Sequence, residues 1–130
     1  MENRALEFLE SHLERIQEHR GEILLRLSPA RVHHSAGKPG LDKGRIFEQN
    51  IILRFTGAEM KGDPSLLPAT LADGKLIAGE RSLYLVPLPF ETKDEVVLKL
   101  ICEEEGEIEI RAEELKVEET GEPEFLEDFP

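Results

Sequence analysis

The chain has 130 residues, with 16 basic and 28 acidic side chains for a formal charge of −12, and 39% of its residues are hydrophobic. That length fits one domain with one core, and that charge disfavours non-specific binding to nucleic acid or anionic membrane, both of which require basic patches. A single cysteine, Cys102, excludes an intrachain disulfide and a multi-cysteine zinc site.

Residues 3–20 carry Leu6, Leu9, Leu13 and Ile16 at spacings of 3, 4 and 3, one stripe of an amphipathic helix. Asn3 fits its N-cap, His19 and Arg20 its last turn, and Gly21 its C′ stop. The charged opening of the chain holds no uninterrupted apolar run, so no signal or transit peptide is expected and the expected location is cytoplasmic. No run approaches the roughly 20 apolar residues of a membrane-spanning helix.

After Gly21 the period changes to two. Ile23, Leu25 and Leu27 alternate with more polar neighbours until Pro29, and Arg31–His34 extend the stretch. Residues 35–44 read as a loop from their Gly, Pro and Lys content. Residues 45–56 form the next strand, with Ile51, Leu53 and Phe55 on one face. Asp73-Gly74, between short apolar flanks, predicts a hairpin turn, because a type I′ turn needs positive φ at both central positions. Residues 82–88 look extended. Residues 95–103 are the clearest strand, with Val96, Leu98, Leu100 and Cys102 on one face. Glu104-Glu105-Gly106 is a turn, Ile108 and Ile110 mark a half-buried strand, and Leu115 and Val117 mark a last short one.

The predicted fold is therefore mainly β: an antiparallel β-sandwich or partly open barrel with one N-terminal amphipathic helix. The predicted organisation is a single globular domain over 1–117, with the helix at 3–20 and strands within 22–117, followed by an acidic C-terminal tail, 118–130, docking loosely through Phe125, Leu126 and Phe129. The absence of βαβ alternation argues against a nucleotide-binding parallel sheet.

Motifs for chemistry are sparse. His12 and His19 would stand two helical turns apart, about 10 Å, too far for one metal. His33 and His34 are adjacent, so on a strand they face opposite ways, and no HxH or HxxxH spacing supports a metal. Cys102 shares the parity of core residues and has Glu103, Glu104 and Glu105 beside it, which disfavours a thiolate; it reads as a small core hydrophobe. The acids of 103–109 lack calcium-loop spacing and read as charged strand faces. No phosphate cradle is present, and neither a metal nor a cofactor is expected.

The charge is unevenly spread. Residues 1–65 are neutral overall, whereas residues 103–130 hold thirteen acids against Arg111 and Lys116. These acids are either solvated faces or a docking surface for a basic partner. The basic counterpart is the loop region, where His33, His34, Lys38, Lys43 and Arg45 are the candidate ligand or partner contacts. The leading expectation is a non-enzymatic protein-interaction or binding module, acting on a protein partner or by self-association. A homodimer is expected where strands 45–56 and 95–103 carry apolar residues on both faces. The alternatives are a small-ligand carrier with a β-barrel or sandwich cavity, and an enzyme with a scattered His/carboxylate site.

Overall fold

The computed structural model describes residues 2–130. Met1, the first residue of the expected domain, lies outside the described residues. Strand covers 67% of the chain, nearly all antiparallel, and no helix of seven or more residues is present among the described residues. The strands in chain order are β1 (Asn3–Glu7), β2 (His12–His19), β3 (Glu22–Ser35), β4 (Gly44–Thr56), β5 (Glu59–Lys61), β6 (Ala69–Ala78), β7 (Arg81–Leu83), β8 (Leu85–Leu88), β9 (Glu91–Thr92), β10 (Val96–Cys102), β11 (Glu107–Ala112), β12 (Glu114–Glu119) and β13 (Glu124–Phe129). A 3₁₀ turn, Pro64–Leu66, precedes β6.

The expected N-terminal helix is absent, and residues 3–20 form β1 and β2 instead. Leu6 and Leu13 are both fully buried, each on its own strand, while Leu9 lies exposed in the turn between them. Gly21 has the positive φ expected of a helix stop, but it serves a different turn. Arg20 and Gly21, at φ of 50° and 77°, join β2 to β3 with His19 directly opposite Glu22. Positive φ at both central residues of a two-residue hairpin is the type I′ pattern, whose twist matches that of the flanking strands.

Asp73-Gly74 is likewise not a turn. Both residues lie inside β6, opposite Ile101 and Leu100 of β10. Gly74 is needed there for space: a Cβ at this position would collide with Phe8 Cβ and sit 2.8 Å from Phe8 Cγ. The Glu104-Glu105-Gly106 turn is present, with Cys102 N–H donating to Gly106 O at 3.0 Å.

The strand order is β5-β11-β10-β6-β2-β3-β4-β12-β9, with β1 between β3 and β8, β13 on β4 and β7 on β6. The long β3–β4 pair is the spine. Its β3 strand runs antiparallel to β2 at one end and to β1 at the other. Inward residues from both halves share one core: Leu6, Ile23, Leu25, Leu27, Val32, Ile51, Leu53 and Phe55 from one, and Leu71, Leu76, Leu98, Leu100 and Ile110 from the other. A bulge between Leu27 and Ala30 lets β3 continue past Ser28 and Pro29, carrying Arg31–Ser35 onward as paired strand.

Residues 124–129, part of the expected tail, pair with β4 across from Glu48 to Gly44 as an edge strand. A bulge at Leu126 interrupts the alternation, and all of β13 is exposed except the half-buried Phe129.

Candidate functional site

The β3 backbone separates His33 and His34 onto opposite faces, and both are buried. His34 packs on Phe47, ring centroids 4.1 Å apart, and its Nδ1 lies 3.8 Å from Glu2 Oε1. Arg45 donates to both Glu2 carboxylate oxygens at 3.0 Å and stands over the Phe47 ring. Burial pushes the His34 imidazole below its ordinary range, with Glu2 acting in the opposite sense. The Arg45 guanidinium holds the Glu2 carboxyl low.

On the other face His33 Nε2 lies 3.1 Å from Glu7 Oε1, and Phe129 closes edge-on over the imidazole at 5.1 Å. Arg31 gathers three acids beside it: Glu7 at 3.1 Å, Glu10 at 2.9 Å and Glu127 at 3.2 Å. This cluster ties β1, β3 and β13 together and leaves His33 only 3% exposed.

Lys38 and Lys43 are exposed in the 36–43 loop. That loop is held by its backbone: Lys38 N–H donates to Asp42 Oδ2 at 2.7 Å, and Ser35 Oγ donates to Lys43 O at 2.7 Å. Of the five sequence candidates, the structure gathers His34 and Arg45 around Glu2; His33 belongs to the opposite face, and neither lysine forms an ion pair among the described residues.

A second region is the surface that β13 builds on β4, where the sequence reading expected a loosely docked acidic tail and not a paired strand. Phe125 packs edge-on against Phe47 at 5.9 Å yet remains 55% exposed, and Leu126 is exposed beside it. Where β13 begins, a cleft of about 410 Å³ opens between Ser28, Pro29, Glu48, Gln49, Asn50, Gly121, Glu122 and Glu124. Glu48 and Glu124 are directly opposite in the β4–β13 register. Gln49 is 5% exposed; its Nε2 donates to Gly121 O at 3.0 Å and Glu119 Oε1 at 3.3 Å, and its Oε1 has no donor. The Thr120 and Gly121 N–H groups both donate to Asn50 O, anchoring the segment that leads into β13.

A further cleft, about 370 Å³, is lined by His12, Thr70, Cys102 and Glu103–Glu105 among others. Burial pushes the Cys102 thiol up, so it stays protonated at neutral pH, and His12 Nδ1 lies 3.5 Å from Thr70 Oγ1. No group of three or more His, Cys, Asp or Glu among the described residues is placed to hold a metal ion. No family model matches this chain, and neither a curated protein nor a solved structure matches it.

Proposed function

We propose that this chain is a non-enzymatic protein-interaction module, whose docking surface is β13 and whose partner is a basic, extended protein segment. One observation carries the reading: β13 pairs with β4 alone among the described residues, so its outer edge offers free N–H and C=O groups beside exposed Phe125 and Leu126. An open edge is a template for an added strand, giving affinity through the main chain and selectivity through alternate side chains. Glu124, Glu127 and Asp128 on the same strand set the sign of that selectivity. They repel a second copy of this acidic strand and attract lysine and arginine. The small-ligand carrier is less favoured, because the inward positions are filled by core side chains and the clefts described here open to solvent.

The test is fluorescence anisotropy with labelled nine-residue peptides of alternating Val and Lys, or Val and Glu, against the full chain at 50 and 300 mM NaCl. The basic peptide is expected to bind, to weaken at the higher salt, and to weaken again with Phe125→Ser or Leu126→Ser. Equal binding of both peptides, or no effect of either substitution, would overturn the reading.

A further inference from the structure

Resting on that reading, we propose that the segment taken up by β13 is two-faced: an aromatic residue laid on Phe125, flanked in sequence by basic residues that fall on the opposite face beside Glu124 and Glu127. The register fixes these faces. Directly opposed residues of an antiparallel pair share a face, and Phe125 stands opposite Phe47, whereas Glu124 stands opposite Glu48 and Glu127 opposite Ile46. The contacts agree. Phe125 meets the Phe47 ring on one side; on the other, Glu127 reaches Arg31 and Phe129 closes on His33. The bulge at Leu126 puts Phe125 and Glu127 on opposite faces although they are two residues apart.

The first face carries a row of rings that stops at Phe125. His34 lies on Phe47 with ring centroids 4.1 Å apart, and Phe47 meets Phe125 edge-on at 5.9 Å, so the row runs outward across β3, β4 and β13. Exposure rises along it: His34 is buried, Phe47 half-buried and Phe125 55% exposed at the open end. A strand added to the free edge of β13 sets the side chain opposite Phe125 about 4.5–5.5 Å away, Cβ to Cβ. An aromatic ring there extends the row in the edge-to-face or offset geometry that rings prefer.

The second face selects charge. Glu48 and Glu124 form no ion pair among the described residues, and Glu127 shares Arg31 with Glu7 and Glu10. Phe129, the remaining β13 residue on that face, is turned to His33. Neighbouring residues of an extended segment point to opposite faces, so the residues before and after the aromatic one arrive beside these acids. Lysine or arginine there complements the charge that this face leaves in excess. The edge therefore reads order as well as composition: basic, aromatic, basic. A second copy of this chain offers its own Phe125 with Glu124 before it, the wrong sign for this face.

The experiment uses the full chain and labelled nine-residue peptides of Val and Lys with one central phenylalanine between two lysines. In a second peptide that phenylalanine changes places with an adjacent lysine, which keeps composition and charge and moves the ring to the acidic face. In a third it is replaced by cyclohexylalanine, which keeps the bulk and removes the π-system. The first peptide is expected to bind about fivefold tighter than the second and about threefold tighter than the third. Phe125→Leu, which keeps an apolar side chain on β13, should erase the preference for the first peptide over the third; the peptide series reads the same preference with no change to the protein. Glu48→Gln with Glu124→Gln should weaken the first peptide about fivefold, and Glu14→Gln with Glu18→Gln, the same charge change on exposed β2 positions, less than about twofold. Equal binding of the first and second peptides or of the first and third, or equal weakening by the two double variants, would overturn the two-faced assignment and leave the interaction module standing. If no basic peptide binds, both fail. A dimer in sedimentation equilibrium that Phe125→Leu abolishes would put a second copy on the edge and overturn the proposal.

Discussion

A methyl group added at Gly74 would meet Phe8 and would also come within 2.9 Å of Leu100 Cδ2, both buried side chains of the core. Neither neighbour can retreat into solvent, so Gly74→Ala should cost about 1–3 kcal/mol through overpacking, read as a lower urea midpoint with an unchanged slope. If Asp73-Gly74 were a hairpin turn, alanine there would strain the backbone and leave Phe8 in place; a shift of the Phe8 ring-proton NMR signals in Gly74→Ala separates the two, since only a steric clash displaces that side chain. At His34 the effect is on pH dependence. Burial lowers the folded imidazole below its ordinary value of 6.5, so the unfolded chain takes up a proton before the folded one does. Its contribution to stability is complete above 6.5 and is lost as pH falls from there toward the lowered folded value. Glu2 and Glu118, held low by Arg45 and Arg54, act in a separate window: their contributions are present above the ordinary 4.5 and are lost on acidification below it. His34→Gln should flatten the stability profile just below pH 6.5 and leave the carboxylate window unchanged. An unaltered slope would refute the assignment of that proton uptake to His34.

A helix over 3–20 would put Leu9 and Leu13 on one buried stripe, whereas the two strands β1 and β2, joined by a turn, bury Leu13 completely and leave Leu9 43% exposed. Leu13→Ala should therefore cost about 2–5 kcal/mol, and Leu9→Ala no more than about 0.5 kcal/mol. Equal losses in urea denaturation would restore the helix. The spacing misleads for a physical reason. Leu6 and Leu13 face inward on two different strands, and their seven-residue separation, set by the intervening turn, coincides with two turns of helix. Each strand contributes too few inward residues to display a period of two by itself. The faces of β3, β4, β10 and β11 were legible because those strands are long or strongly alternating, with one side in the core. The opposed faces of His33 and His34 followed from the same alternation. Their partners did not, because Glu2, Glu7 and Phe129 reach them through pairings of β1 and β13 with β3 and β4 that no local pattern encodes. β13 stayed hidden for two reasons: the bulge at Leu126 breaks its alternation, and its side chains are almost all exposed, so it lacks the buried face that identifies a strand.

Across the whole molecule, short-range pairing and long-range repulsion oppose each other, and salt separates them. Five arginines are engaged at close range: Arg4 with Glu119; Arg31 with Glu7, Glu10 and Glu127; Arg45 with Glu2; Arg54 with Glu22 and Glu118; and Arg111 with Glu109. Such part-exposed pairs each contribute about 0–1 kcal/mol. The remaining acids, concentrated in residues 103–130, act on one another over longer distances, and the chain as a whole carries −12. At 10 mM salt the Debye length is about 30 Å, wide enough to couple charges across the domain; at 0.5 M it is only a few ångströms. Screening therefore removes most of the repulsion while contacts near 3 Å keep much of their attraction. Raising NaCl from 10 to 500 mM should raise the melting temperature, by about 2–5 °C if the relief is near 1 kcal/mol. Glu103→Gln, Glu104→Gln and Glu105→Gln together should raise the melting temperature at 10 mM and shrink its rise with salt, because they remove three neighbouring charges from the most acidic turn. A melting temperature that falls with added salt would reverse the ranking, making the arginine pairs, and above all the Arg31 cluster joining β1, β3 and β13, the dominant electrostatic contribution to the fold.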